Sequence, residues 1–291
     1  MYSYLEAKKD CDIIFDNITE SGVIKVHQSL SDIENIYKKI EEKNDIPRIA
    51  FNIMAVSMFY ENNQINNLNQ KKINKVINFI YLNKEKGDKD SLFFINLYLL
   101  RSLIYLKKSK EEINRQLNFF LVTIKDIKNK YNKPLLANKL ISFYEEYRYI
   151  YDLSSLDTLI LNLKSVMLYL ISSDLAKESE FFYFADMLCW SRGQIYESKV
   201  LFFLENNLEK KGIYNVSSSA IAYILECKLR AGYTFDKKMY TKIQKSLVSD
   251  KKFYETFKKV KQGLYLNRPG ESYICLDTNA HLLIGFLYSK T

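Results

Sequence analysis

The sequence predicts an all-α fold of consecutive αα-hairpins, and three observations carry that prediction. Gly and Pro number only 8 and 3 in 291 residues, too few for the many tight turns of a sandwich or barrel of short strands. Apolar residues recur at helical spacing along almost the whole chain. Helix pairs begin near Pro47, Asp90, Pro134 and Ser179, which stand 43, 44 and 45 positions apart. A period in that range marks stacked helical hairpins, none of which can bury its apolar face without a neighbour. No consensus residues accompany the period, so the repeat is one of architecture.

Taken in order, helices are expected near 3–18, 29–43, 48–62, 70–84, 91–107, 110–130, 134–151, 156–173, 178–192, 194–210, 217–231, 237–262 and 276–290. Leu30, Ile33, Ile36, Tyr37 and Ile40 form the stripe of the second. Ile73, Val76, Ile77 and Ile80 form that of the fourth, and Leu156, Leu159, Ile160, Leu163, Val166 and Met167 that of the eighth. Ser31 with Glu34 and Ser109 with Glu112 have the spacing of a capping box, and Asp236 can cap the helix carrying Met239 and Ile243. Pro47 and Pro134 suit a first helical turn, where the missing N–H costs little. Asp277 or Thr278 is the expected N-cap of the last helix.

The expected content is more than about 65% helix with no sheet. No linker divides the chain, so residues 1–291 are read as one domain. The hairpins can close in two ways: as an open solenoid, or as an α/α toroid of about six hairpins.

Apolar residues at 47% and charged residues at 26% are typical of a folded protein. A formal charge of +9 is compatible with nucleic acid or an acidic surface. However, the Lys residues are spread along the chain near Glu and Asp on helical faces, as solvated helices require. Lys, Asn, Ile and Tyr also have AT-rich codons, which discounts their abundance. Nucleic acid is therefore the lesser expectation. Cys11, Cys189, Cys227 and Cys275 stand far apart with no CxxC pair. The start has no basic stretch followed by an apolar one, and no apolar run is expected to reach the roughly 18 residues that cross a bilayer. Free thiols, no disulfide, no membrane span and a cytoplasmic setting follow as expectations.

The segment 178–204 has a tetratricopeptide look in Ala185, Gly193, Tyr196 and Ser198. The C-terminal quarter points elsewhere. Ser218-Ser-Ala-Ile-Ala-Tyr-Ile-Leu-Glu-Cys-Lys-Leu-Arg-Ala-Gly232 opens one hairpin, and Asp277-Thr-Asn-Ala-His-Leu-Leu-Ile-Gly-Phe-Leu287 a final helix. A small polar residue, then Ala and a Leu- or Ile-rich run, resembles α/α toroids of the terpene-cyclase and protein-prenyltransferase kind. The prenyltransferase likeness implies His281 as a zinc ligand, with Gly285 four positions on. It also implies Cys227 as a ligand, although the Asp of the family's Asp-x-Cys motif is absent from Leu225-Glu226-Cys227. Cys275, six residues before His281, is the third candidate for such a nitrogen and sulfur site. The cyclase likeness implies Asp277 as a general acid, but Cys275 stands where that motif has a second Asp, and no Asp-Asp-x-x-Asp stretch is present.

Trp190 is the sole tryptophan, in Cys189-Trp190-Ser191-Arg192. It is expected to pack between hairpins with Arg192 on the rim, or else to make a stacking and anion-binding patch. A nucleophilic Cys189 would need a base, for which only His27 and His281 are candidates. The aromatic runs Phe181 to Phe184 and Phe143, Tyr144, Tyr147, Tyr149 and Tyr151 suit inter-helix packing or a concave groove. No phosphate loop, hydrolase elbow, His-Glu-x-x-His or paired-Cys motif is present.

Rare residue types thus collect from Cys189 onward, in the first helices of successive hairpins. The candidate ligand site is Trp190, Arg192, Tyr223, Asp277 and His281, with Cys227, Cys275 and His281 as the zinc candidates. The expected function is a non-catalytic protein that binds a peptide or protein through a concave aromatic and basic surface. The alternatives are an α/α-toroid enzyme that tailors a peptide or isoprenoid, and a nucleic-acid or acidic-surface binder.

Overall fold

The computed structural model describes residues 2–24, 27–29, 46–61, 63, 65–86, 88–125, 133–173, 175–248, 263–266 and 273–289. The chain is mostly helical. The described α-helices, numbered in order, are α1 (Tyr4–Asp16), α2 (Ile46–Glu61), α3 (Asn67–Asn83), α4 (Lys89–Tyr105), α5 (Lys110–Lys125) and α6 (Pro134–Tyr147). After them come α7 (Asp157–Ser172), the short α8 (Met187–Ser191), α9 (Glu197–Lys211), α10 (Ser218–Arg230), α11 (Lys237–Gln244) and α12 (Asp277–Tyr288).

Helix starts fall where local chemistry favours them. Ser109 accepts from the Glu112 N–H at 3.2 Å, Asp236 from Met239 at 3.0 Å and Ser217 from Ala220 at 3.2 Å. Pro134 opens α6, and Pro47 sits in the first turn of α2. The helix expected at 178–192 is instead a 3-10 segment, Glu178–Phe184, followed by α8. Four successive aromatic residues, 181–184, do not give a 3.6-residue stripe, and the tighter turn sends Phe181 and Phe184 into the core. The helix expected at 237–262 stops at Gln244, where the backbone enters a bridge pairing Leu247 with Tyr265. Residues 249–262, the expected helix 29–43 beyond Ser29 and the Ser31–Glu34 box lie outside the described residues.

The expectation of no sheet is corrected. Strand β1 (His27–Ser29) pairs antiparallel with β2 (Tyr273–Cys275), in the register His27 to Cys275, Gln28 to Ile274 and Ser29 to Tyr273. The Tyr-Ile-Cys run has the aromatic and β-branched character that suits a pleated surface, and three residues are too few to show a period-2 signal in the sequence.

Burial sorts the helices into two layers. Nearly every residue of α2, from Ile49 to Ser57, is buried, and α4, α6, α10 and α12 are buried almost all round. The intervening helices bury one stripe each: Ile73, Val76, Ile77 and Ile80 on α3, and Ile160, Leu163, Met167 and Ile171 on α7. A helix apolar on all sides belongs inside, and one with a single stripe belongs on the outer face of another. α2 packs on α4, α4 on α5, α6 on α7, and α10 on α11. The final helix α12 packs on α10, and also on α1 and α2. The two ends of the chain therefore meet through α12.

One stretch, Ser154–Ser172, has the length and apolar composition of a membrane span, with a mean hydropathy of 1.3. It contains α7, whose Lys164 bonds Glu145 of α6 at 2.5 Å.

Candidate functional site

Between the inner helices lies a pocket of about 640 Å³. α2 contributes Arg48 and Phe51, α4 Phe94 and Tyr98, and α6 Lys139. Phe181, Phe182 and Tyr183 come from the 3-10 segment, Ser219, Ala220 and Tyr223 from α10, and Asp277 and His281 from α12. The apolar walls arise because these helices are buried all round and turn aromatic residues toward one another. Phe51 lies 5.3 Å from Tyr98, ring centre to ring centre, and Phe94 lies 6.1 Å from Tyr98.

The inner end of the pocket is polar. His281 sits between two aromatic rings, 4.6 Å from Phe51 and 5.2 Å from Tyr223. Its Nδ1 lies 2.6 Å from Oε2 of Glu226, which is buried. That contact holds the proton on Nδ1 and leaves Nε2, which has no hydrogen-bond partner among the described residues. The Lys139 ammonium lies 4.4 Å from the Tyr223 ring centre and 2.9 Å from Asp186. The Tyr223 hydroxyl donates to Asp186. Asp277 accepts from Asn52 at 2.8 Å and pairs with Arg48 at 3.4 Å. The side chain of Asp277 thus ties α12 to α2 and does not cap α12, whose N-cap is Leu276.

Behind the pocket the ion pairs continue. Arg230 meets Asp186 at 3.1 Å, Glu226 at 3.4 Å and Glu146 at 3.7 Å, and Arg101 meets Glu146 at 2.5 Å. Burial opposes the charged form of Asp186, yet Lys139 and Arg230 outweigh it and hold the carboxyl below the usual carboxylate range. Burial likewise opposes ionisation of Glu226, and the His281 bond with the charges of Lys139 and Arg230 reverses that into a lowered value. Lys139 is raised despite its burial because Asp186 favours the ammonium. Taken together, Lys139, Arg230 and Arg101 match Asp186, Glu226 and Glu146 charge for charge.

Of the residues chosen from sequence, Tyr223, Asp277 and His281 meet in this pocket. Trp190 stands one contact behind it: its indole N–H donates to Asn138 at 3.3 Å, and Asn138 donates to the carbonyl of Tyr183 at 3.1 Å. Arg192 is exposed and lies over Gly232, away from the pocket lining. The zinc candidates do not come together. Cys227 turns toward Asp186, at 3.5 Å, and His281 is held by Glu226, while buried Cys275 lies at the end of β2. Among the described residues the grouping that could offer ligand atoms to a metal is Asp186, Cys189 and Cys227, all within 4.8 Å of one another. That group suits a cation poorly, because the Asp186 carboxylate already meets Lys139 and Arg230, and a metal would face two buried positive charges. Cys189 faces Cys227 and Asp186. No disulfide joins the four cysteines.

Sequence reasoning missed Lys139, Asp186, Glu226 and Arg230. A signal existed, for each of the first three interrupts an apolar helical run, as in Leu135-Leu-Ala-Asn-Lys139-Leu-Ile141. Comparison with known protein families, curated proteins and solved structures finds no match to this chain.

Proposed function

We propose that this protein binds a peptide or protein partner by seating an apolar side chain of that partner in the pocket beside Tyr223 and His281. The pocket itself carries the reading. Its volume lies within the 300–1,000 Å³ typical of ligand sites, and its walls are aromatic with a few polar groups at one end. Phe and Tyr offer large contact area at little conformational cost. The architecture is read as a closed α/α ring rather than an open solenoid, which is supported by α12 packing on both α10 and α2.

A second reading, an α/α-toroid enzyme, is favoured by one observation: a buried carboxylate on Nδ1 of a histidine whose Nε2 has no partner among the described residues is the arrangement of an oriented proton acceptor. The binding reading asks less of the site, since among the described residues no nucleophile lies in contact with Nε2.

The test uses a displayed peptide library. Peptides selected on the intact protein should lose binding to Ser219→Trp, which fills the pocket from a partly exposed wall position, while melting temperature holds. Equal binding to the filled variant would refute the reading.

A further inference from the structure

We propose that the inner end of the pocket is an anion subsite for the free C-terminal carboxylate of the partner segment, held by His281 Nε2 and Lys139 Nζ. This rests on the binding function proposed above and names the end of the partner that enters.

The first support is an unused set of donors. Lys139 is buried, with its side chain 6% exposed, and lines the pocket. An ammonium has three N–H groups, and Asp186 is its one hydrogen-bonding partner among the described residues. His281 lines the same pocket and packs against the same Tyr223 ring, with Nε2 open.

The second support is charge. Beneath the pocket three cations balance three carboxylates, and at its mouth Arg48 balances Asp277. What remains is cationic: Lys211, which lies 5.6 Å from the Phe181 ring and has no ion-pair partner among the described residues, and His281 once protonated. The charged and titratable groups that line the pocket with His281 are Tyr223 from α10, Arg48 from α2, Lys139 from α6, Tyr98 from α4, Tyr183 of the 3-10 segment, Lys211 from α9 and Asp277 of its own helix, and Glu226 of α10 meets its Nδ1. Within that set an incoming carboxylate is the missing counterpart of an imidazolium. The proton comes from solvent: an Nε2–H bond forms as buffer gives up one proton, and the imidazolium lies between Glu226 and the ligand carboxylate. No other bond changes.

The third support is shape. A chain terminus brings its carboxylate and its last side chain on one Cα, so the polar end meets His281 and Lys139 while the side chain meets Phe51 and Phe94. An internal Asp or Glu would carry two flanking amides in with its carboxylate, where a terminus carries one.

The experiment is calorimetric titration of the full chain with acetyl-Ala-Ala-Phe as free acid, its C-terminal amide, and acetyl-Ala-Glu-Ala amide, in HEPES and in Tris. The acid should bind at least about tenfold more tightly than the amide, the scale of a charge-assisted hydrogen bond. Its binding enthalpy should differ between buffers by the amount that marks proton uptake, and His281→Gln should abolish that difference while still folding. Wild-type proton uptake needs no variant, so a misfolded variant leaves the test intact. Equal affinity of acid and amide, acid binding without proton uptake, or tighter binding of the internal Glu peptide overturns the subsite. If acid and amide bind equally and Ser219→Trp abolishes both, the pocket reading stands alone. If no acid binds at millimolar concentration and the library-selected peptides ignore Ser219→Trp, both fall.

Discussion

At the scale of single residues the buried charges dominate. Asp186 has two cations and a tyrosine hydroxyl on one carboxylate, inside the protein. Asp186→Asn leaves Lys139 with no carboxylate in contact, and removing one partner of a buried pair costs about 3–5 kcal/mol. Urea unfolding should show that loss, whereas Arg148→Ala, at an exposed pair with Glu145, should leave the midpoint nearly unchanged. A second buried carboxylate, Asp10, behaves oppositely. Burial raises it to about 7, although Tyr2 and Asn279 both donate to it. Its folded value exceeds the unfolded value of about 3.9, so the folded state binds the extra proton between them. Stability from this group is therefore greatest at acid pH and is lost as pH rises toward 7. Melting curves from pH 5 to 8 should decline in the parent and flatten in Asp10→Asn. Such residues are hard to read in a sequence, because Asp186 and Glu226 have their meaning only through Lys139, Arg230 and His281, which are 44 to 55 positions away in the pairs Arg230–Asp186 and His281–Glu226.

At the scale of elements, α10 and α12 touch at Gly285. A Cβ there would come within 3.1 Å of Leu229 Cδ1 and 3.2 Å of the Glu226 Cα. Gly285→Ala gains about 1 kcal/mol of helix propensity but overpacks a contact where such additions cost about 1–3 kcal/mol. The expected result is a lower melting temperature. It should come with a changed His281 ring resonance in NMR, since Glu226 lies at the point of contact and His281 one turn before it. An unchanged resonance would mean that α12 shifts as a rigid body without disturbing the pair. The same elements explain what the sequence could say. Ser109, Ser217, Asp236 and Pro134 mark starts by short-range chemistry, so those helices were legible. The 3-10 turn through Phe181 and Phe184 was not, because its apolar residues satisfy a tertiary contact and not a periodic one. His281 was found by rarity and Asp277 through the cyclase likeness, while Trp190 was drawn in by the same rarity, with Arg192 beside it, without sharing the pocket.

At the scale of the whole molecule, contacts recur at hairpin length. Lys133 meets Asp90 at a separation of 43 residues, Arg230 meets Asp186 at 44, Arg101 meets Glu146 and Asn138 meets Tyr183 at 45, and Lys107 meets the Glu61 carbonyl at 46. Successive hairpins stacked side by side would produce that pattern. The charge of +9 is distributed over these helices, and binding to nucleic acid should then be weak and fall steeply with salt, as counterion release dictates. Fluorescence anisotropy with a labelled duplex at 50 and 200 mM salt checks this, and tight sequence-selective binding at the higher salt would contradict it.

The place of α12 also bears on how the chain reaches its folded form. Asn279 bonds Asp10 across 269 positions, Tyr240 bonds Glu6 across 234, and Asp277 meets Asn52 across 225. Contacts this distant in sequence are the last to become available as a chain is synthesised and the slowest to close by diffusion. On a ribosome, α2, α4, α6 and α10 all emerge before the helix that brings Asp277 and His281. A nascent chain therefore holds the aromatic walls and Lys139 without His281, and under the proposed function it would engage a partner only after α12 has docked against α1 and α2.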